Sequence, residues 1–436
     1  MQEKQNNTSL VWFRNDLRVK DNNVLNQAIT ESNHTIAAYC FDPRHFQNDK
    51  FGFKKTEKFR AKFLLETVQN LKANLKKLNI ELYVFTECPE DCLPQLISEY
   101  KIENIYLQKE WTQEEETVFE NLKKTLPVNI IFNTIYNQFL YHPNDISMSP
   151  SDIPKVFTNF RKHLEKHSKA RALNSIRKSE SFSNSNNKTN IPTLQDLGFE
   201  DFETHPNSAF PFKGGEDEAL KRLNHYFFET KKLGFYKKTR NGLVGIDYSS
   251  KFSAWLANGS ISPRTIYWEI KNFEKQFYKN ESTYWLIFEL IWRDYFKYIS
   301  LKHKNAIFKI DGILEKDYEW HTDEIAVEQW INGKTASAFV NANMIELKKT
   351  GWMSNRGRQN VASYFSKELK LDWRIGAAYF ESMLIDYDVH SNYGNWLYVS
   401  GVGNDPRDRK FNVQLQAERY DANGKFQNLW LQETLF

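Results

Sequence analysis

The chain has 436 residues, a length that favours two domains over one. With 40% hydrophobic and 26% charged residues and a mean hydropathy of −0.66, it is expected to fold in water around a sizeable core. The net charge of +4 permits a polyanionic partner without requiring one. No run of 18 apolar residues is present, so no membrane span is predicted.

The beginning of the chain and the cysteines bear on its compartment. Met1–Thr8 is polar and lacks the apolar run of a signal peptide. Cys40, Cys88 and Cys92 form no even disulfide framework, and the Cys88–Cys92 spacing has no second ligand pair that would complete a zinc site. We therefore expect a cytoplasmic protein with free thiols.

The first third of the chain alternates short apolar runs with helical patterns. The helical pattern is clearest over Lys55–Leu78 and Gln113–Leu126. The alternation predicts an α/β domain, a Rossmann-like doubly wound parallel sheet with helices on both faces. No phosphate-loop glycine pattern follows the first apolar run, so no ligand can be predicted from this domain alone. The apolar runs are Leu10–Phe13, Thr35–Phe41, Ile80–Phe85, Asn104–Leu107 and Val128–Phe132.

The middle of the chain has a different composition. Asn174–Asn190 is rich in Ser, Asn and Lys, which predicts a long surface loop. Arg161–Lys178 carries seven Lys or Arg against one acid, Glu165. That run is either a solvated face or a nucleic-acid contact, and both interpretations stay open.

The second half is helical in pattern. We predict an α/β domain over residues 1–135, a connector over 136–212 and an all-helical domain over 213–436. The predicted helices are Glu216–Lys232, Ser262–Phe277, Ser282–Leu301 and Gln359–Leu369.

Two helical segments combine polar and aromatic residues. Asp247–Ser253 precedes a helix predicted to begin near Ala254, so its hydroxyls are either an anion cradle or ordinary N-caps. Glu289 and Arg293 lie four apart on one helix face. They are either an intrahelical ion pair or a buried polar pair lining a cavity, because the neighbouring aromatic residues leave little room for solvent.

Further on, planar donors and acids cluster. Gly351–Gln359 contains Asn355 and Arg358, whose groups suit carboxylates, phosphates or a heterocycle. Asp386 and Asp388 could accept hydrogen bonds from a ribose or from an arginine. The alternative is that these two aspartates bind a metal ion. No complete set of His, Asp and Glu ligands accompanies them, so we predict no metal site.

In this order, these segments resemble the photolyase/cryptochrome family over essentially the whole chain. The similarity begins with Leu10–Arg18 and continues through Tyr236–Gly242, Asp247–Ser253 and Ser282–Phe296. The run Gly351–Ser363, the ending Gly401–Pro406 and Tyr398 in place of a second Trp resemble the DASH branch. Thr350–Ser363, Leu371–Asp388 and Ser391–Pro406 complete the matching segments.

The resemblance implies non-covalent FAD in the helical domain. Asn392 matches the residue that faces flavin N5, where a neutral amide tunes protonation without adding charge. The residues expected around the phosphates are Tyr236, Ser249, Ser250, Lys251, Phe252 and Ser253. Those expected around the isoalloxazine and ribityl parts are Arg293, Trp352, Asn355, Arg358, Phe380, Asp386 and Asp388.

The resemblance also implies light-driven repair of cyclobutane pyrimidine dimers, a deoxyribodipyrimidine photolyase-type reaction. Glu289 would contact the pyrimidine and Trp292 would pack on the dimer. Trp396, Trp373 and Trp320 match the family's electron-transfer triad, whose alternative is ordinary packing. The expected partner is DNA, preferably single-stranded; RNA is left open as a second partner, and a monomer is expected.

The DASH resemblance adds a methenyltetrahydrofolate antenna. Glu110 matches the acid that contacts the pterin, although it could equally be a surface acid opening a helix. The chain departs from the family at Thr335–Ala342, where Ala336, Ala338 and Asn341 replace Gly, Pro and Asp, and at Ile345, where Arg is common. These changes are expected to alter lesion affinity or strand preference rather than flavin binding.

Three other functions remain as alternatives. The same flavin photochemistry could serve a blue-light photoreceptor without repair. The protein could instead be a nucleic-acid-binding regulator with a structural flavin, which would show salt-dependent binding without a light-dependent product. A flavoprotein reductase is disfavoured because no nicotinamide fingerprint appears.

Overall fold

A computed structural model describes residues 8–180 and 187–432, and its first part is an α/β domain. Five strands form one parallel sheet in the order β3-β2-β1-β4-β5. The predicted doubly wound sheet is therefore confirmed. The strands are β1 Thr8–Trp12, β2 His34–Cys40, β3 Leu82–Phe85, β4 Asn104–Gln108 and β5 Ile131–Ile135.

The centre of the sheet is apolar on both faces. Leu10 pairs with Ile36 on one side and Ile105 on the other, and all three are fully buried. Helices cover both faces, as parallel sheets require. They are α1 Asn23–Glu31, α2 Lys58–Lys76, α3 Pro89–Glu99 and α4 Gln113–Thr125.

The fifth strand lies three residues later than the apolar run at Val128–Phe132 predicts. Val128 is fully exposed, and the strand starts only where Ile131 pairs with Asn104. β5 is an edge strand whose residues are all half-buried or exposed, so the apolar run is a poor guide to where pairing begins.

The connector contains one helix, α5 Phe157–His167, whose buried face is Phe157, Phe160 and Leu164. Within the run Arg161–Lys178, Arg161 pairs with Glu165. Residues 174–180 and 187–190 of the predicted loop form neither helix nor strand, and residues 181–186 of it lie outside the described chain.

Between residues 216 and 432, the regular elements are helices joined by loops. The helix predicted at Gln359–Leu369 begins four residues earlier, because Ser354 Oγ accepts from Gly357 N at 2.9 Å and caps it at Asn355. The helices are α6 Glu216–Asn224, α7 Tyr236–Thr239, α8 Ser253–Ala257, α9 Pro263–Gln276, α10 Glu281–His303, α11 Glu324–Ile331, α12 Ala338–Thr350, α13 Asn355–Ser363, α14 Trp373–Met383, α15 Val389–Ser400, α16 Val413–Tyr420 and α17 Lys425–Leu431.

Helix α10 fastens the connector to the helical domain. Asp294 is fully buried and accepts hydrogen bonds from Leu140 N at 3.1 Å and Tyr141 N at 2.8 Å. Burial raises the pKa of Asp294 to about 6 despite these two donors. The polar face of α10 is thereby fixed relative to the loop after β5.

The remaining sequence predictions concern thiols, metals and membranes. Cys40, Cys88 and Cys92 are free, with Cys40 Sγ and Cys92 Sγ 3.6 Å apart. Among the described residues, no group of three or more His, Cys, Asp or Glu side chains could hold a metal ion. Over residues 8–180 and 187–432, no helix combines the length and apolar character needed to cross a membrane.

Candidate functional site

Arg222 of α6 holds the loop Asp247–Ser253 in place through hydrogen bonds. This buried guanidinium donates to Ser250 O at 3.2 Å, Ser249 O at 3.1 Å and Asp247 Oδ1 at 2.6 Å. The planar guanidinium of Arg222 thus donates to two backbone oxygens and one side-chain oxygen of the loop, and these bonds fix the loop's shape. Sequence reasoning missed Arg222, since nothing local links it to a loop 25 residues away.

Lys251 occupies the turn of this loop. Its φ of +67° is in the left-handed region, which is uncommon for a non-glycine residue. Its Nζ is buried 3.3 Å from the centroid of Tyr248 and 4.7 Å from that of Trp352, with no hydrogen-bond partner among the described residues. Burial lowers the pKa of Lys251 well below its usual value. An anionic ligand would give this buried amino group an acceptor and would favour its protonated form.

The segment after α12 adds a second cationic group. Arg358 Nη2 contacts both oxygens of Asp386, at 2.8 and 2.9 Å, and Arg358 Nε donates to Met353 O at 3.0 Å. Trp352 stacks on Phe210 at 4.7 Å and donates to Tyr248 OH at 3.2 Å. The two segments that the sequence singled out, 351–359 and 384–388, are thus brought together.

Asp388 is held by a buried lysine. Lys297 Nζ lies 2.9 Å from Asp388 Oδ2, and Asp388 Oδ1 accepts from Ser391 N as the N-cap of α15. Burial would raise the pKa of Asp388, but Lys297, His390 and Arg293 outweigh it and hold that pKa well below its usual range. The charged form of Asp388 is therefore favoured.

Helices α14 and α15 bring three predicted residues together. Asn392 Nδ2 donates to Ala377 O at 3.0 Å, one helical turn before Phe380. The ring of Phe380 meets that of Trp396 edge-on at 5.2 Å. This bond uses one of the two amide N–H groups of Asn392, so its amide oxygen and its second N–H are left for a ligand.

The three predicted electron-transfer tryptophans lie in or beside helices α14 and α15. A Cβ on Gly376 of α14 would lie 2.3 Å from the Trp396 ring, so Trp396 packs on the helix that Trp373 begins. His321 N donates to Lys370 O at 2.8 Å and Asp372 N to His321 O at 3.0 Å, which places Trp320 beside the start of that helix. Trp396 and Trp373 are buried, and Trp320 is half-buried.

Glu289 does not pair with Arg293, so the first of the two interpretations left open by the sequence, an intrahelical ion pair, is wrong. Arg240 Nη1 lies 2.5 Å from Glu289 Oε1, while Arg293 donates to Gln138 O at 2.6 Å and Leu256 O at 3.0 Å. Backbone carbonyls beside α10 outcompete the carboxylate for Arg293. Burial raises the pKa of Glu289, and Arg240 opposes that shift.

Trp292 lies one turn after Glu289 on the same helix. Its ring stacks on Phe157 of α5 with centroids 3.6 Å apart and planes 11° apart. Tyr398 meets its edge at 5.9 Å. The connector helix therefore backs the site, a role of Phe157 that the sequence did not reveal.

Glu110 lines a cavity of about 540 Å³ between the α/β domain and the helical domain, and two residues predicted for the flavin site, Arg293 and Asp388, line the same cavity. Gln108 Nε2 donates to Glu110 Oε1 at 2.7 Å. Burial raises the pKa of Glu110 to about 7. The cavity sits at the carboxyl edge of the sheet, and its other polar lining includes Arg14, Asn15, Lys297, Glu381 and Asp388.

Some predicted residues stand apart from these contacts. Asn355 and Ser253 are exposed at the first positions of α13 and α8. Tyr236 is buried, and the charged groups that act on its hydroxyl are Glu289 and Arg240 rather than the loop at 249–253.

The departures at 335–345 are locally accommodated. Asn341 Oδ1 accepts from Thr335 N at 2.8 Å, and Asn341 Nδ2 donates to Thr335 O at 2.9 Å, a pairing that a carboxylate could not complete. Ile345 is buried against Phe426 and Trp430 of α17. An apolar side chain suits this position because α17 covers it.

Comparisons with known proteins identify the family of the chain. Residues 9–178 match the family model of DNA photolyase, and residues 285–435 match that of the FAD-binding domain of DNA photolyase. Cryptochrome DASH of Danio rerio is 46% identical, over 98% of this chain and 83% of that protein.

Solved structures show the same relationship. The cryptochrome of Synechocystis sp. PCC6803 matches with a TM-score of 0.94 and 44% identity, covering 99% of this chain and 90% of that one. An archaeal photolyase from Sulfolobus tokodaii, crystallised with two FAD molecules, matches with a TM-score of 0.80 and 26% identity, covering 98% and 90%. Near full-length identity above 40% confirms the resemblance drawn from the motifs. The chain belongs to the photolyase/cryptochrome family of FAD-binding, DNA-binding proteins, in its DASH group.

Proposed function

We propose that this protein uses blue light to split cyclobutane pyrimidine dimers in DNA, with a preference for single strands. One observation carries the proposal: the half-buried carboxylate of Glu289 is held by Arg240, one helical turn from Trp292, at the edge of the helical domain's aromatic core. A carboxylate and a flat ring at that spacing suit a flipped-out pyrimidine pair, one through its polar edge and the other through its face.

The described residues fit the FAD that the family's domain binds. The buried Lys251 ammonium without an acceptor suits a diphosphate, and Arg222 holds the surrounding carbonyl groups in place. Arg358, Asp386 and Asp388 offer paired charges to the ribityl and ring atoms, and Asn392 offers its amide oxygen near N5. Bound FAD supplies blue-light absorption and one-electron transfer.

The protein's own residues then have distinct tasks. Glu289 orients the pyrimidine edge, and Trp292 stacks on the dimer through the face that Phe157 leaves free. Trp396, Trp373 and Trp320 carry electrons inward from the half-buried Trp320 when the flavin must be reduced. Packing alone would not require three indoles in this order, with two buried indole nitrogens unpaired among the described residues, those of Trp396 and Trp320.

The cavity around Glu110 suits the folate antenna. Its volume of about 540 Å³ is within the range of small-molecule sites, and it opens at the sheet edge where such ligands bind. A carboxyl with a raised pKa can donate or accept toward a pterin's mixed edge. The α/β part over residues 1–135 would then be the antenna domain, 136–212 the connector and 213–436 the FAD domain.

The test is a repair assay on the pre-reduced protein. An oligonucleotide with one thymine dimer, single-stranded and then duplex, is illuminated with blue light beside a dark control. We expect light-dependent restoration of thymine, faster on the single strand. Glu289→Ala should cut repair while leaving the flavin spectrum unchanged, with Glu315→Ala, an exposed acid outside the site, as the control.

Two other outcomes have definite meanings. No restoration on either strand by protein that binds and photoreduces flavin would replace repair with a light-sensing or nucleic-acid-binding role. Equal rates on both strands would remove the single-strand preference and leave the reaction.

A further inference from the structure

A basic and aromatic surface lies beside the proposed lesion site. Residues 230–246 contain five basic and no acidic residues: Lys231, Lys232, Lys237, Lys238 and Arg240. The turn within them meets the end of α9. There Phe235 is 54% exposed, Phe277 39% and Tyr278 40%, so three large aromatic side chains face solvent together.

Direct contacts join the two segments. Asn280 Nδ2 donates to Gly234 O at 2.9 Å, and a Cβ on Gly234 would lie 2.1 Å from Tyr278 OH. Lys231 Nζ lies 4.4 Å from the centroid of Phe277. We call Phe235, Phe277 and Tyr278 with Lys231, Lys238 and Lys279 the aromatic–lysine patch.

The patch is connected to the site by helix α10. Lys237 Nζ lies 4.6 Å from the ring centroid of Trp285, and Arg240 reaches Glu289 three residues further on. The segment from Gly234 to Arg240 therefore runs alongside α10 from its start to Glu289. Nine helical residues separate Asn280 from Glu289, which is about 13 Å. An extended single strand covers that distance within a few nucleotides.

The charges favour a polyanion over a protein surface. Lys238 and Lys279 are exposed and have no ion-pair partner among the described residues, while Lys232 and Lys237 are paired with Asp247 and Glu281. Exposed rings that alternate with free ammonium groups are how proteins hold single strands, since bases stack on the rings and phosphates meet the lysines. A duplex would keep its bases stacked and leave the rings unused.

We propose that the aromatic–lysine patch binds the undamaged single strand that flanks the lesion, a few nucleotides away. This inference rests on the proposed repair function for its place beside the lesion site, and it adds a second binding site for the strand. It also gives a physical cause for single-strand preference, because only unpaired flanking bases can stack on Phe235 and Tyr278.

The test compares two single-stranded oligonucleotides that carry one thymine dimer, one without flanks and one with six nucleotides on each side. Affinity is measured by fluorescence anisotropy across a salt series. Phe235→Ala should weaken binding of the flanked strand at least about fivefold and leave the short one unchanged. Lys238→Ala should lower the slope of log Kd against log salt by about 0.7 on the flanked strand alone.

Matched controls lie outside the patch. Trp268→Ala removes another exposed aromatic residue, and Lys124→Ala removes an exposed lysine of α4; neither should change either affinity. Equal losses on both strands, or none on either, would overturn the proposal. Phe235→Ala that abolishes self-association in light scattering but leaves DNA affinity intact would make the patch a protein interface instead.

Undamaged oligothymidylate of twelve nucleotides separates this inference from the repair proposal. If wild-type protein fails to repair dimers but binds this strand through Phe235, repair is wrong and the patch is right. If wild-type protein repairs dimers and Phe235→Ala binds this strand as well as wild type does, the repair proposal is right and the proposed role of the patch is wrong.

Discussion

Arg240 and Glu289 form an ion pair of 2.5 Å across 49 residues of sequence, and their side chains are 20% and 27% exposed. Burial disfavours the charged form of Glu289, and Arg240 offsets part of that cost. Arg240 is therefore a positioning residue: it fixes where the carboxyl group lies and biases its protonation.

Removing Arg240 should change both properties. In Arg240→Ala the pKa of Glu289, already raised by burial, rises further, so the pH profile of repair shifts to higher pH. Affinity for a dimer-containing strand should fall several-fold, with an unchanged flavin spectrum. Repair rates measured from pH 5.5 to 9 check the shift, and Arg240→Lys should restore it in part, since a lysine returns the charge without the fork. If the pH profile of Arg240→Ala has the same midpoint as that of the wild type, Arg240 contacts the DNA directly and does not act through Glu289.

Arg222 is expected to control flavin retention from outside the binding surface. Arg222→Lys keeps the charge but loses the fork that reaches the carbonyl groups of Ser249 and Ser250. The loop that carries Lys251 should loosen, and the Kd for FAD should rise about tenfold or more, equivalent to about 1.4 kcal/mol. Flavin fluorescence during titration of the apoprotein measures this.

A control for that measurement is Arg44→Lys in the α/β domain, where the arginine also contacts two acids, Asp42 and Glu90. Flavin affinity should be unaffected there. Wild-type affinity in Arg222→Lys would show that the loop keeps its shape without the fork.

Trp396→Phe should stop photoreduction of oxidised FAD by an external reductant while sparing repair by chemically reduced protein. The substitution keeps the packing against Phe380 and Gly376 but removes the indole, which is far easier to oxidise than a benzene ring. Trp430→Phe in α17 is the control, a buried tryptophan in a separate core cluster. Illumination under anaerobic conditions, followed by absorbance, gives the rates. A normal rate in Trp396→Phe would confine this residue to packing.

The sequence predicts the local parts of this molecule and not the long-range ones. The five-stranded sheet follows from periodicity, which acts over a few residues, and the helix predicted near Ala254 begins at Ser253, although no side chain caps it. The partner of Glu289 does not, because i,i+4 spacing pointed to Arg293 while tertiary contacts directed that side chain to Gln138 and Leu256. Phe157 on Trp292 and Arg222 under the loop have the same origin: each is defined by a remote contact that no local pattern encodes.

Glu110 gives a prediction about stability and pH. Its pKa in the folded protein is about 7, against an ordinary value of 4.5, so the folded state binds this proton more tightly than the unfolded chain. Low pH therefore favours the folded state at this site. Below about pH 4.5 the carboxyl is protonated in both states, so Glu110 does not lower the free energy of unfolding. Its contribution becomes more unfavourable as pH rises from about 4.5 to 7 and stays constant above pH 7. Glu110→Gln should remove that dependence and stabilise the protein at pH 8 by up to about 3 kcal/mol.

Urea denaturation at pH 5 and pH 8 tests this with two variants. Glu110→Gln should gain stability relative to wild type at pH 8 and show little difference at pH 5, where the wild-type carboxyl is already neutral. Glu116→Gln, an exposed acid of the neighbouring helix α4, should show no such pH dependence. If folate binding to the cavity depends on Glu110, Glu110→Gln should bind folate more weakly than Glu116→Gln, and both variants should retain FAD. A Glu110→Gln protein that gains equally at both pH values would owe its stability to something other than the proton.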